Sequence, residues 1–186
     1  MLDDQIHPTR RTRIGFNSDW LFCRGDGSND STALSYERLR DAILPTGNYL
    51  RGAGSIGLHR KGRAADIPTP PMASREFDDA TWTRVTVPHD YAIAGPFAIE
   101  LPGETGKLPW AGVAWYRKHF RVEPLREAER LILELDGAMS FSSIWLNGKL
   151  VGGWPYGYTS YQLDLTEYLD PSGDNVLAVR LDNPGK

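Results

Sequence analysis

Over the second half of the chain, apolar residues fall at every second position in short runs closed by Gly, Pro, Asn or Asp. A period of two puts alternate side chains on opposite faces of a strand. From Val113 to Val122, Tyr116, Phe120 and Val122 share one face, while Trp115, Arg117, His119 and Arg121 share the other. From Leu131 to Leu135 the odd positions are apolar, with Glu134 opposite. The run from Phe141 to Leu146 meets Asn147-Gly148, a pair that accepts positive φ at both corners of a tight hairpin. Leu150-Val151 is the expected return strand. Tyr158 to Leu163 and Val176 to Leu181 complete the set, with Leu177, Val179 and Leu181 facing the core. Between these two, Asp164 or Thr166 suits the cap of one helical turn, and Gly173 suits a chain reversal.

The first half is less regular. Residues 1–12 read as a flexible polar tail. A first strand pair is expected, Ile14 and Phe16 on one strand and Trp20 and Phe22 on the next, with Asn17-Ser18-Asp19 between them. The pattern then breaks from about 25 to 75. Asp30-Ser31-Thr32 stands where it could cap a short helix carrying Leu34, Leu39 and Ile43, which Pro45 would end. Glycines at 47, 52, 54, 57 and 62 and the run Pro68-Thr69-Pro70-Pro71 read as a long irregular insertion, of the kind that is either functional or packed against something else. Order returns at Phe77. Asp78-Asp79 can cap a single turn, and Trp82, Val85 and Val87 feed a strand ending at Pro88. Residues 92–112 form a second loop. Short strands separated by Gly/Pro turns, without βα alternation or repeats, predict an all-β protein: a jelly-roll β-sandwich with a long insertion after its first strand pair.

Composition narrows the function classes. The length of 186 residues fits a single domain, here residues 13–184, able to bury roughly 70% of its unfolded surface. A net charge of −3 lacks the basic face that nucleic acid requires. The clusters Arg10-Arg11-Thr12-Arg13 and Arg60-Lys61-Gly62-Arg63 read as solvated loops, since neither is interleaved with aromatic residues. No run approaches the 18 or so apolar residues of a membrane span, and Met1-Leu2-Asp3-Asp4-Gln5 does not read as a secretory leader; the compartment stays open. The single Cys23 lies in an alternating run and reads as a buried or half-buried structural thiol. Histidines 7, 59, 89 and 119 are too scattered to suggest a metal site, and no phosphate-binding glycine motif is present, so neither metal nor cofactor is expected.

Five motifs carry a resemblance: Phe77-Asp78-Asp79-Ala80-Thr81-Trp82, Val87-Pro88-His89-Asp90-Tyr91, Trp115-Tyr116-Arg117-Lys118, Ile144-Trp145-Leu146-Asn147-Gly148 and Asp164-Leu165-Thr166. In this order and spacing they resemble the N-terminal sugar-binding domain of glycoside hydrolase family 2 enzymes of the β-galactosidase type, over roughly residues 13–184. The resemblance implies a galactose-binding-domain-like jelly roll. It also implies that a second sandwich and a (β/α)₈ barrel carrying two catalytic glutamates belong to the larger enzyme and have no positions here. The parent enzyme would then be a retaining glycosidase acting on a β-galactoside or related glycan, compatible with homo-oligomerisation, while these 186 residues would be inactive alone. The residues agree: retaining chemistry needs two carboxylates about 5–5.5 Å apart, and Glu100, Glu104, Glu123, Glu127 and Glu129 sit in loops and charged turns.

The same resemblance implies that the first domain lends side chains to the barrel's sugar pocket from the loop after its last strand, where Asp182-Asn183 stands. An acidic group there could accept hydrogen bonds from adjacent sugar hydroxyls; otherwise Asp182 is a turn-former at the strand end. The loop from Gly103 to Trp110 is a second candidate contributor. Asp90 of His89-Asp90 reads as an organiser of its own loop. Trp154, Tyr156, Tyr158 and Tyr161 offer either a sugar-stacking platform or packing against a neighbouring domain, and Trp82, Trp115 and Trp145 read as core or half-core. Two other functions remain open: a free-standing carbohydrate-binding module, and a purely structural domain for subunit contact.

Overall fold

The computed structural model describes residues 11–27, 33–43, 49–50, 67, 69–109, 111–127, 129–170 and 172–184. The strands are β1 (Trp20–Arg24), β2 (Tyr49–Leu50), β3 (Thr83–Val85), β4 (Gly112–Arg121), β5 (Ile132–Leu135), β6 (Ser142–Leu146), β7 (Lys149–Trp154), β8 (Tyr161–Asp164) and β9 (Asp174–Asn183). One α-helix, α1 (Tyr36–Ile43), precedes β2. The strands form a six-stranded sheet ordered β3-β1-β4-β9-β6-β7 and a three-stranded sheet ordered β2-β8-β5. Every described pairing is antiparallel. The protein is a mostly-β sandwich.

Two apolar clusters flank the large sheet. Between the sheets lie Ala114, Tyr116, Ile144, Leu146, Val151, Leu177 and Val179, meeting Tyr161, Leu163 and Leu165. Leu133, Leu135 and Leu181 pack against this cluster, as the alternation of their runs predicts. On the far face, Trp115 and Trp145 stack with ring centroids 5.4 Å apart. Leu34, Leu39 and Ile43 cover them together with Met72 and Ala73 of the 3-10 turn Pro71–Ala73. The expected apolar stripe Leu34/Leu39/Ile43 therefore exists, and it packs this described part of the insertion against the sheet. Covering this face leaves the middle of β4 and all of β6 buried on both sides.

The hairpin is as expected: Asn147 (φ 53°) and Gly148 (φ 80°) both take the left-handed region and turn β6 into β7. Asp164 accepts the Thr166 N–H at the one-turn helix Thr166–Tyr168, and Gly173 (φ 93°) reverses the chain before β9.

The expected strand over Ile14–Phe16 does not form, and Ile14 is exposed. Both edges of β1 are already taken, by β3 and β4, leaving no ladder for an earlier strand. Phe16 instead packs edge-on against Trp20 and Phe120 at 5.8 and 5.1 Å. Residues 1–10 of the expected tail, the cap Asp30-Ser31-Thr32, Pro45, the glycines from 47 to 62, the cluster Arg60-Lys61-Gly62-Arg63, Pro68 and Trp110 lie outside the described residues.

Candidate functional site

Strands β4 and β9 pair over ten residues, from Arg121↔Asp174 at one end to Gly112↔Asn183 at the other. Asp182 and Asn183 are therefore the last rungs of a strand and not part of a following loop; Gly112 and Val113 extend the ladder to meet them. Ser140, just before β6, clamps this end. Its carbonyl accepts the Asp182 N–H at 2.9 Å, and its Oγ donates to the Asp182 carbonyl at 3.0 Å and to Asn183 Oδ1 at 3.2 Å.

The Asp182 carboxylate is aimed by a buried cation. Residues two apart on a strand share a face, and Arg180 Nη1 donates to Asp182 Oδ2 at 3.1 Å. Arg180 is almost fully buried and is itself held by Asp26, with Nε on Oδ1 at 2.9 Å and Nη2 on Oδ2 at 2.8 Å. It also donates to the Leu34 carbonyl, while Trp115 Nε1 donates to Asp26 Oδ1 at 2.7 Å. Burial alone lowers the Arg180 pKa; the bonds and charge of Asp26, with Asp182 behind, outweigh it and hold the guanidinium charged above its ordinary range. The chain Trp115–Asp26–Arg180–Asp182 thus runs from the second core to the surface. Asp182 Oδ1 takes no hydrogen bond among the described residues and stays open as an acceptor, with the side chain 24% exposed.

The loops around this end are ordered by side-chain–backbone bonds. Arg24, on the last residue of β1, donates to the Pro109 and Ala111 carbonyls, each at 3.3 Å, and lies over the Tyr91 ring at 5.1 Å. Gly103–Thr105 is a 3-10 turn, and Lys107 Nζ donates to the Ile99 and Leu101 carbonyls. The Phe141 N–H donates to the Pro155 carbonyl, bringing the 136–141 and 154–160 loops together. Ile93, Phe97, Ile99, Met139, Tyr156 and Tyr158 are exposed apolar side chains, of which Phe97, Ile99 and Tyr158 are 75%, 86% and 76% exposed.

The aromatic set divides. Tyr161 is fully buried, its OH paired with Ser142 Oγ at 2.7 Å, and burial pushes its phenol well above the ordinary range. Trp154 packs against the first core. Tyr156 and Tyr158 stay outside as a tilted pair 5.7 Å apart. Asp90 has the structural role expected of it: Oδ1 accepts the Ala92 N–H and caps Tyr91–Ala94. His89 Nδ1 lies 2.9 Å from the Tyr116 hydroxyl. Cys23 is half-buried, and burial raises its thiol pKa. No group of three or more His, Cys, Asp or Glu that could hold a metal occurs among the described residues.

Sequence reasoning did not find Arg180, Asp26 or Ser140. One signal was available: Arg180 interrupts an otherwise apolar strand whose even positions, like its odd ones, must be buried once the Leu34/Leu39/Ile43 stripe is given a face to cover. The turn expected of Asp78-Asp79 is capped by Asp78 alone. Asp78 accepts the Ala80 N–H, whereas Asp79 Oδ2 receives Arg117 Nε and His119 Nε2, both at 2.7 Å.

Residues 103–186 match the model of the glycosyl hydrolase 2 galactose-binding domain-like family. The β-galactosidase BoGH2A of Bacteroides ovatus is 45% identical over 109 residues, which cover 58% of this chain and 13% of that protein. A putative β-glucuronidase of Formosa agariphila is 34% identical over 116 residues, covering 62% of this chain and 11% of that protein. Among solved structures, a β-glycosidase from Bacteroides vulgatus superposes with a TM-score of 0.61 at 27% identity, over 91% of this chain and 17% of that one. The chain thus spans only a small part of the length of these relatives.

Proposed function

We propose that this chain, whose residues 103–186 match the galactose-binding-like domain of glycoside hydrolase family 2, is the non-catalytic N-terminal domain of a larger retaining glycosidase of β-galactosidase type. Its role is to brace the catalytic barrel and lend one wall to the barrel's sugar pocket. The two catalytic glutamates belong to that barrel, so the 186 residues alone hydrolyse nothing. We read the sandwich as a jelly roll.

The observation that carries this reading is the Asp182 end of the large sheet. A half-exposed carboxylate is aimed by buried Arg180, with Oδ1 open and the Asn183 amide and Ser140 beside it. Met139 adjoins Ser140 in the chain, and Phe97, Ile99, Tyr156 and Tyr158 are further exposed apolar groups on ordered loops that suit burial against another domain. Asp182 Oδ1 would accept a hydroxyl of the sugar, a contact that helps to separate epimers. One wall supplies about two hydrogen bonds, each on the order of 1–3 kcal/mol to a charged group. That falls short of the entropy of fixing a small ligand, so the chain alone should bind galactose only in the millimolar range or weaker.

The test is Asp182→Ala in the complete enzyme. With sugar hydroxyls left unpaired in a closed site, kcat/KM should fall by about 10- to 100-fold. An unchanged kcat/KM would remove Asp182 from the pocket. Micromolar galactose binding by the 186 residues alone, measured by calorimetry, would instead make the chain a self-sufficient binding module.

A further inference from the structure

A second candidate site lies away from Asp182, on the sheet face that carries Trp115 and Arg117. There β3, β1 and β4 leave a groove of about 510 Å³ where the cover supplied by α1 and Pro71–Ala73 ends. Its register is set by Leu21, which pairs with Arg84 on one side and Arg117 on the other. Asp182 pairs with Val113, six residues along β4 from His119, about 20 Å away at about 3.4 Å per residue. The two places are separate.

The groove's floor and walls differ in chemistry. Leu21, Ala80 and the half-buried Trp82 make an apolar strip, with Trp82 fixed edge-on against Phe77 at 5.6 Å. Beside it Asp79 is preorganised. Arg117 Nε and His119 Nε2 both donate to the same oxygen, Oδ2. Arg117 is in turn tied by Nη1 to the Met72 and Ser74 carbonyls and lies over the Phe77 ring at 5.3 Å. Asp79 Oδ1 and Trp82 Nε1 make no hydrogen bond among the described residues, and both side chains line the groove. Arg84 and Asp19 form an exposed pair at 3.1 Å along the rim. Burial drives the Asp79 carboxyl up, but the bonds and charges of Arg117 and His119 outweigh it and keep the group ionised below the ordinary carboxylate range.

We propose that this groove is a second carbohydrate-binding site, which takes a neutral pyranoside with its apolar face on Trp82 and its hydroxyls on Asp79 and the Asp19–Arg84 rim. An apolar strip with a few fixed polar groups is the usual make-up of a small-ligand site. The charges of Asp19, Asp79, Arg84 and Arg117 cancel, so the site selects neither anions nor cations by net field. A uronate carboxylate placed near Asp79 Oδ1 meets like charge, which favours neutral sugars over acidic ones. The inference does not depend on Asp182 and stands or falls apart from it.

Heteronuclear NMR on the 186-residue chain tests it, with lactose as the neutral probe and sodium galacturonate as the charged one. Lactose should shift the Trp82 indole and the Ala80 and Arg84 amides with a Kd on the order of 1–10 mM, and galacturonate should shift them about fivefold more weakly or worse. Trp82→Ala should abolish the shifts. Arg84→Ala, at an exposed position, should weaken binding about threefold or more without touching the core. No saturable shift in the groove up to roughly 100 mM lactose overturns the proposal, as does binding that survives both variants. Shifts confined to Tyr156, Tyr158 and Asn183 overturn it too, while leaving the role of Asp182 intact.

Discussion

The two ends of strand β6 are built to opposite plans. At its Leu146 end, the Asn147 amide makes three hydrogen bonds inside the protein. Nδ2 donates to the Tyr168 carbonyl at 2.9 Å and to Asn175 Oδ1 at 2.8 Å, and Oδ1 accepts the Val176 N–H at 3.0 Å. Asn175 is buried and holds the Asp170 N–H as well, while Thr69 Oγ1 closes onto the Gly148 carbonyl at 2.7 Å. At the Ser142 end the inner bonds are equally complete, through Ser142, Tyr161 and Trp154. One layer further out, however, Asp182 keeps an open oxygen, and Met139, Tyr156 and Tyr158 are exposed. A polar side chain that serves the fold has its partners in its own chain. Under the function proposed above, Asp182 would keep its second oxygen for the sugar.

The hairpin end should therefore carry the large stability effects and the Asp182 end the functional ones. The largest expected loss is from Trp145→Ala: this residue is 1% exposed and stacked on Trp115, so emptying the site should cost about 3–5 kcal/mol, read as a lowered denaturation midpoint. A negligible shift would place Trp145 on the wrong face. Asn147→Ala should cost roughly 1–3 kcal/mol because it strands the Val176 N–H and the Tyr168 carbonyl. Gly148→Val should be damaging for another reason: φ is 80° there, and a Cβ would meet Thr69 Cγ2 at 3.2 Å. At the opposite end, Asp182→Ala should leave the midpoint of the isolated chain within about 1 kcal/mol of wild type while lowering kcat/KM in the complete enzyme. A midpoint loss as large as that of Trp145→Ala would make Asp182 part of the fold and erase the contrast.

Acid should act on the hairpin side. Asp170 is held down to about 2 by the Ser172 hydroxyl and N–H and by Arg75. A depressed folded pKa adds stability that is fully present above the unfolded value near 4 and is lost as pH falls through that value toward the folded one. Denaturation between about pH 5 and about pH 2 should therefore be less steep in Asp170→Asn. An unchanged slope would show that Asp170 is not a source of acid sensitivity. The smallest effect is expected from Tyr156→Ser with Tyr158→Ser: within about 0.5 kcal/mol for the isolated chain, since both rings are already in water. Their replacement should instead loosen the complete enzyme, seen as easier proteolysis between the domains.

Legibility followed the range of the interactions. The Asn147-Gly148 turn was readable because its requirement, positive φ at two adjacent residues, is local. The face shared by Leu177, Val179 and Leu181 was readable because period two is local as well. Even α1 was visible in Leu39 and Ile43, though it begins after Leu34 and its destination was not legible. The misreadings involve partners far along the chain. Ile14–Phe16 looks like a strand until β3 and β4 occupy both edges of β1. Asp182 looks like a loop residue until Val113 pairs with it. Asp79 looks like a cap until Arg117 and His119, 38 and 40 residues away, converge on one of its oxygens.

What the sequence alone determined is the inventory: a mostly-β sandwich, its hairpin, its one-turn corner, its short helix and its likeness to a family of sugar-processing enzymes. All of these rest on spacing and on residue-by-residue conformational preference, which a chain carries before it folds. The tertiary structure decided which carboxylates are spent and which are open. Asp26 and Asp182 are both short acids in the sequence. Only the packing of the segments that carry Asp26 and Leu34 against β9 makes one the buried counter-ion of Arg180 and leaves the other a half-exposed acceptor at the sheet's end. The reason is physical: whether a charge is buried, paired or available depends on neighbours brought together from opposite ends of the chain.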